Sequence, residues 1–145
     1  MTFDIDALLA LWSRPHATPT AAARAFAELY TDPVLINGTP MRTGDLVARA
    51  AALRTTFPEL RREVLDVCEA GEKVAVAFRM TGRQVGPWTT SAGVLPPTGR
   101  EISLRVIDIL TLTDGRISSL WMVGDELGAL AAHEAVTLAP PTGGD

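Results

Sequence analysis

The sequence predicts one α+β domain, with helices gathered at the start and a meander of strands after them. Three observations carry this expectation. Apolar residues recur at helical spacing through Phe57. From Val64 onward they form strand-like runs divided by turn residues. The two patterns barely interleave, whereas an α/β chain would alternate them throughout.

Each element follows from local chemistry. Ile5, Leu8, Leu9 and Trp12 form the stripe of an opening helix that stops before Pro15. Thr18-Pro19 reads as an N-cap followed by proline at the first helical position, and Ala22, Ala25, Phe26 and Leu29 give that second helix its buried face, with Tyr30 near its end. Val34-Leu35-Ile36 is a short strand ending in an Asn37-Gly38 turn. Thr43 caps a third helix with Leu46, Val47, Ala50 and Leu53 inward, closed by Phe57-Pro58. Strands follow over Val64–Cys68, Val74–Thr81, Ile102–Leu112 and Ile117–Val123, with turns at Ala70-Gly71 and Asp114-Gly115. Pro87–Gly99 is a loop with room for a short edge strand at Trp88–Ser91, and Asp125–His133 is a final helix. Residues 1–135 form the single domain, and residues 136–145, ending in Pro140-Pro-Thr-Gly-Gly-Asp145, are expected to be a disordered tail.

Composition narrows the function classes. A length of 145 residues suits one self-sufficient core, and 47% hydrophobic residues with a mean hydropathy of +0.18 make it an apolar one. The net charge of −4 argues against a nucleic-acid surface, and no apolar run reaches the ~20 residues of a membrane span. A lone Cys68 excludes an internal disulfide framework and reads as a small buried apolar residue. Met1-Thr-Phe-Asp-Ile-Asp6 carries acids where a secretory leader carries bases, so the expected location is the cytoplasm. His16 and His133 are the only histidines, and no metal cluster is expected. Arg61-Arg62, the only adjacent basic pair, reads as a solvated strand or loop edge.

The segment Ile102–Leu112 carries the chemistry. Side chains alternate across a strand, so Ile102, Leu104, Val106, Asp108, Leu110 and Leu112 share one face. Asp108 is the only polar residue on it. A carboxylate buried there needs a partner, or its pKa must rise, which is the profile of a catalytic acid or base. The plainer reading is a structural aspartate held by a neighbour. What faces Asp108 depends on the Asp114-Gly115 turn. A two-residue loop sets Trp121 opposite, whereas a three-residue loop with a bulge sets Leu120 and Met122 on its face. Asp125, after the last strand, is either a second carboxylate at a pocket mouth or the N-cap of the final helix. Arg79 is a potential partner for Asp108 or a sheet-surface residue. Trp12, Tyr30, Trp88 and Trp121 are pocket-wall candidates that would serve equally as core.

Several phrases resemble one family. Phe26-Ala-Glu-Leu-Tyr-Thr-Asp32, Met80-Thr-Gly-Arg-Gln-Val-Gly86, Pro97-Thr-Gly-Arg100, Asp108-Ile-Leu-Thr-Leu-Thr-Asp-Gly-Arg-Ile117 and Trp121-Met-Val-Gly-Asp-Glu-Leu-Gly128 occur in the order and spacing of SnoaL-like polyketide cyclases, in the nuclear-transport-factor-2-like superfamily. The likeness spans roughly Thr20 to Ala131. It implies an α+β cone of N-terminal helices on a curved, mostly antiparallel sheet, usually dimeric through the outer sheet face. It also implies a pocket for a polycyclic aromatic ester and an aldol closure that uses an aspartate and no cofactor or metal. Carried over by position, that aspartate falls on Met122, which cannot transfer protons. A histidine of those cyclases falls on Asp108, and the family register sets Asp108 and Met122 on one face. In the related ketosteroid isomerases the general base lies near Asn37, again not a carboxylate here.

The resulting expectation is a cofactor-free cyclase- or isomerase-type catalyst with an apolar pocket for a small hydrophobic ligand. Asp108 would be its acid/base, Asp125 would assist, and Arg79 or Asn37 would polarise a carbonyl. Tyr30, Trp88, Trp121 and Met122 would line the pocket. The competing expectations are a non-catalytic binding protein of the same fold, which Met122 favours, and a dimerisation module with a vestigial cavity.

Overall fold

The computed structural model describes residues 2–143. Three helices, α1 (Ile5–Ser13), α2 (Pro19–Leu29) and α3 (Thr43–Thr56), precede most of the strands, and a hairpin of β1 (Tyr30–Ile36) and β2 (Thr39–Met41) separates the second from the third. The long strands β3 (Arg61–Ala70), β4 (Lys73–Arg83), β7 (Glu101–Thr113) and β8 (Arg116–Gly124) follow, and α4 (Glu126–Ala132) closes the domain. They form one six-stranded sheet in the order β2-β1-β8-β7-β4-β3. Every pair is antiparallel except β1 with β8. The loop after β4 holds a separate hairpin of β5 (Trp88–Thr90) and β6 (Gly93–Leu95), one strand more than expected there.

The helices start where their caps dictate. Asp4 accepts from the Ala7 N–H, Thr18 from the Ala21 N–H, and Asp125 from the Gly128 N–H. The third helix departs from the sequence reading: Arg42 is its N-cap and Thr43 its first residue, with the Asp45 carboxylate accepting from the Arg42 N–H at 2.9 Å. Tyr30 ends α2 and begins β1, which starts four residues earlier than Val34.

One face of the sheet is covered by the helices and holds the core. Phe26, Tyr30, Val34, Leu46, Val74, Leu110 and Ile117 belong to one buried cluster; Phe57, Val76, Phe78, Leu104, Val106 and Leu130 belong to a second. Truncating a fully buried phenylalanine such as Phe26 costs on the order of 3–5 kcal/mol, so each cluster matters to a domain of ordinary stability. Gly82 lies close against the second cluster: a Cβ there would meet the Phe57 side chain at 3.2 Å.

Two bulges decide which residues point inward. In β3, Val64 pairs with Phe78 and Asp66 with Ala77, so Leu65 is the extra residue. Before it Arg62 and Val64 face in; after it Val67 and Glu69 do. The shift turns Cys68 outward, and it is exposed instead of buried as its composition suggests. In β8 the extra residue is Ser118, whose hydroxyl bonds Thr113 Oγ1 at 2.7 Å and the Thr111 carbonyl at 3.3 Å. Beyond α4 the described residues form no helix or strand, although Val136 still packs on the second cluster. Residues 144 and 145 of the expected tail lie outside the described residues.

Candidate active site

Asp108 occupies the seam between the two core clusters. Its inward neighbours along β7 are Val106 of the second cluster and Leu110 of the first. Across the sheet it pairs with Val76 on β4 and Met122 on β8. The β7–β8 hairpin combines a two-residue turn with a bulge. The turn has two residues, Asp114 and Gly115, with φ of 51° and 80°, and Thr113 pairs with Arg116. That loop alone would set Trp121 opposite Asp108, but the Ser118 bulge advances the register by one and brings Met122 there.

The Asp108 carboxyl is half-buried, and its Oδ1 is fully buried without a hydrogen-bond partner among the described residues. Burial pushes its pKa up to about 6, although the Arg62 guanidinium pulls in the opposite direction. Arg62 turns inward from β3, in contrast to the solvated edge that its sequence context suggests. Arg61 alone keeps that role, paired with Glu101 at 2.9 Å. The signal was available in the alternation, since Arg62 shares the face of Val64. Arg62 Nη1 donates to Ser13 Oγ at 2.9 Å and to the Leu9 carbonyl at 3.3 Å, and the guanidinium carbon lies 5.7 Å from the Phe78 ring centroid. Its Nε is buried and unpartnered. Burial lowers its pKa to about 10, with the Tyr30 and Asp108 charges acting to raise it.

Tyr30 completes the group. It is buried, and its oxygen accepts a 2.8 Å hydrogen bond from Trp12 Nε1. Burial drives its pKa well above the ordinary tyrosine value; the Trp12 bond lowers it, Asp108 raises it and Arg62 lowers it. Trp12 and Tyr30 are thus joined by a hydrogen bond, and Tyr30, Arg62 and Asp108, drawn from β1, β3 and β7, influence one another through charge.

Other candidates are placed elsewhere. Arg79 lies on the outer face, where it pairs with Glu63 at 3.2 Å rather than with Asp108. Its cross-strand neighbour Arg105 pairs with Asp125 at 3.0 Å. Asp125 is thus the α4 cap and an outer-face ion partner, and the Gly128 N–H and then Arg105 hold its carboxyl below the usual range. A cleft of about 300 Å³ gathers Arg79, Ser103, Arg105 and Asp125, remote in the fold from the inward cluster. Trp121 pairs with Ile109 on the outer face and is 59% exposed, so it is not a wall of the interior. Trp88 is buried edge-on to Phe57 at 6.0 Å and serves as core. Asn37 does not reach Asp108. Its side chain clasps the Met122 backbone, accepting from the N–H at 2.8 Å and donating to the carbonyl at 3.3 Å.

The larger cavity, about 700 Å³, lies between the N-terminal segment and the inner face of β3, with Phe3, Ile5, Val64 and Val67 as apolar walls and Asp4 and Glu69 beside them. It is not walled by Tyr30, Trp88 or Trp121. Its Val67 is joined to the site through the sheet, because Val67 pairs with Val76 and Val76 with Asp108. Among the described residues no group of three or more His, Cys, Asp or Glu could hold a metal ion, and no helix is long and apolar enough to cross a membrane.

Helices packed on one face of a mostly antiparallel six-stranded sheet give an α+β fold of the nuclear-transport-factor-2-like kind. Residues 5–133 match the family model of the SnoaL-like polyketide cyclases, and the chain belongs to that family. Solved structures share the fold at low identity. A SnoaL-like polyketide cyclase from Agrobacterium tumefaciens superposes with a TM-score of 0.71 at 18% identity, covering 92% of this chain and 99% of that one. TsrD from Streptomyces laurentii gives 0.70 at 23%, covering 93% and 100%. AclR, a candidate hydroxylase from Streptomyces galilaeus, gives 0.68 at 19%, covering 91% and 96%. No curated protein matches the sequence.

Proposed function

We propose that the protein is a cofactor-independent acid–base catalyst of the cyclase or isomerase type, acting on a small hydrophobic, polycyclic carbonyl compound, with Asp108 as the proton-transfer group. The observation that carries this reading is Asp108 Oδ1, buried on the inner face without a partner. A carboxyl whose pKa is raised to about 6 is a better base than an ordinary aspartate and is still ionised at neutral pH. The ligand's apolar body would lie along the Val64–Val67 cavity, about 10 Å from Asp108 across two strand spacings, a span that two or three fused rings cover. The protein would act in the cytoplasm as a homodimer, joined through the exposed apolar residues of the outer sheet face.

The test needs no knowledge of the natural substrate. Exchange of the α-protons of 2-tetralone in D₂O, followed by NMR, should be accelerated by the protein. Asp108→Asn should remove most of that acceleration, since general acid–base help is typically worth ~10²–10⁴-fold. An unchanged rate in Asp108→Asn removes Asp108 from the mechanism.

A second reading, a non-catalytic binding protein, is favoured by Met122 at the position of the family's acid/base aspartate. Binding of polycyclic ketones or esters without any exchange in the wild-type protein would select it.

A further inference from the structure

Asn37 is the only asparagine in the chain, and Gly38 follows it. The two residues form the loop between β1 and β2, where Ile36 pairs with Thr39, and both hold a left-handed backbone, with φ of 50° and 81°. Both are exposed. The Asn37 side chain has a second role. β1 runs beside β8 as far as Ile36 and Leu120, and the Asn37 N–H still donates to the Leu120 carbonyl at 3.0 Å. The backbone then turns away, and the side-chain amide continues the pairing. Its Oδ1 accepts from the Met122 N–H at 2.8 Å, and its Nδ2 donates to the Met122 carbonyl at 3.3 Å. Met122 pairs with Asp108 on β7, so this one amide fastens the segment opposite the inward carboxyl.

The same dipeptide carries a chemistry of its own. With no side chain on Gly38, its backbone nitrogen is open to close a succinimide ring on the Asn37 carboxamide. We propose that Asn37 is a site of hydrolytic deamidation and that its conversion unfastens Met122, so that the β1–β2 turn acts as a slow, one-way switch on the strand that faces Asp108. In the first step the Gly38 nitrogen loses its proton to hydroxide and bonds to Asn37 Cγ. The Cγ–Nδ2 bond breaks, and ammonia leaves with a proton taken from water. Water then adds to one of the two ring carbonyls and opens the ring to aspartate or isoaspartate. Closure requires the carboxamide to leave Met122 and swing over the Gly38 nitrogen, so the clasp and the reaction exclude one another. Two hydrogen bonds of ordinary strength should hold the reactive, open fraction down by roughly 10- to 100-fold. The product does not restore the clasp. An aspartate keeps an acceptor for the Met122 N–H but sets a carboxylate oxygen against the Met122 carbonyl, where Nδ2 donated. An isoaspartate lengthens the backbone and shortens the side chain, and loses both bonds. The switch holds whether or not Asp108 transfers protons.

The test incubates wild-type protein at mildly alkaline pH, folded or unfolded in urea, and follows the tryptic peptide Ala25–Arg42 by mass spectrometry. The mass gain of amide-to-acid conversion should appear there in the folded protein, slower than in urea by roughly 10- to 100-fold. Gln84, the only other side-chain amide, lies in a different peptide and is buried with both its nitrogen and its oxygen bonded. Asp114-Gly115 can rearrange only without a change of mass. Converted protein, separated by ion exchange, should exchange the Met122 amide hydrogen about 10-fold faster than unconverted protein. Asn37→Asp should show a smaller rise, and Asn37→Gln, whose longer side chain closes a larger and slower-forming ring, should gain no mass. No gain in the folded protein while the unfolded chain converts fully many times over, or a gain that persists in Asn37→Gln, overturns the site. Equal rates in folded and unfolded protein overturn its control by the clasp. Unchanged Met122 exchange in converted protein overturns the switch.

Discussion

Asp108 on β7 and Met122 on β8 are direct cross-strand partners, with side chains on the same inner face. The position facing the ionisable group thus carries a thioether, one strand away. Met122 is 41% exposed while Asp108 is half-buried, so the carboxyl lies deeper than the position it faces.

Met122→Asp would place two carboxyls about 4.5–5.5 Å apart at Cβ. Like charges at that distance resist joint ionisation, so the Asp108 pKa should rise further above about 6. The two groups should titrate as a coupled pair, and stability above pH 7 should fall relative to wild type. A carboxyl-detected NMR titration beside thermal melts at pH 5 and pH 8 checks both. An unmoved Asp108 titration would show that the two side chains do not share a space.

Asp108 itself should destabilise the fold at neutral pH. Its folded pKa, about 6, lies above the ordinary aspartate value of 3.8, so the folded state binds more protons between these values. Its contribution is fully present below about pH 4 and is lost as pH rises through about 6. Asp108→Asn should therefore be more stable than wild type at pH 7.5 by on the order of 1–3 kcal/mol, with the difference shrinking towards pH 4. Urea unfolding at both pH values measures it. The gain in stability with loss of exchange is the expected signature of a group kept for function.

Asn37 should matter through β8 rather than through chemistry. It has a φ of 50° and makes two hydrogen bonds to the Met122 backbone. Asn37→Ala should cost about 1–3 kcal/mol, from the lost bonds and the left-handed backbone. Hydrogen exchange at the Met122 amide should quicken, with 2-tetralone exchange retained in the folded fraction.

The outer face should be a dimer surface. Ile107, Ile109, Trp121 and Val123 pair across β7 and β8, and Ile107, Trp121 and Val123 are 56%, 59% and 74% exposed. Sedimentation equilibrium should give a dimer for wild type and a monomer for the Ile107→Lys, Val123→Lys double variant. A monomeric wild type would remove the assembly.

Most of the fold was legible because periodicity reports it. The helix stripes at Leu8, Phe26 and Leu46 and the alternation through Ile102–Leu112 needed no tertiary information. The site was half legible. Asp108 stood out as the sole acid on an apolar face, but its partners depended on two bulges. Leu65 turns Cys68 outward, and Ser118 exchanges Trp121 for Met122 opposite Asp108. An extra residue in a strand has no periodic signature, which is why the register stayed open. Arg62 was missed because an Arg-Arg pair looks solvated, although alternation requires one of the two to face in. Arg79 and Asp125 were drawn towards the site by residue type alone; strand parity puts Arg79 on the outer face, and the α4 cap claims Asp125.

Proton transfer by Asp108 on the inner face is tested most directly by the pH–rate profile of 2-tetralone exchange. The rate should climb through an apparent pKa near 6, level off above it, and collapse at every pH in Asp108→Asn. A wild-type profile with no inflection between about pH 4 and 8, or one that survives in Asp108→Asn, would contradict it.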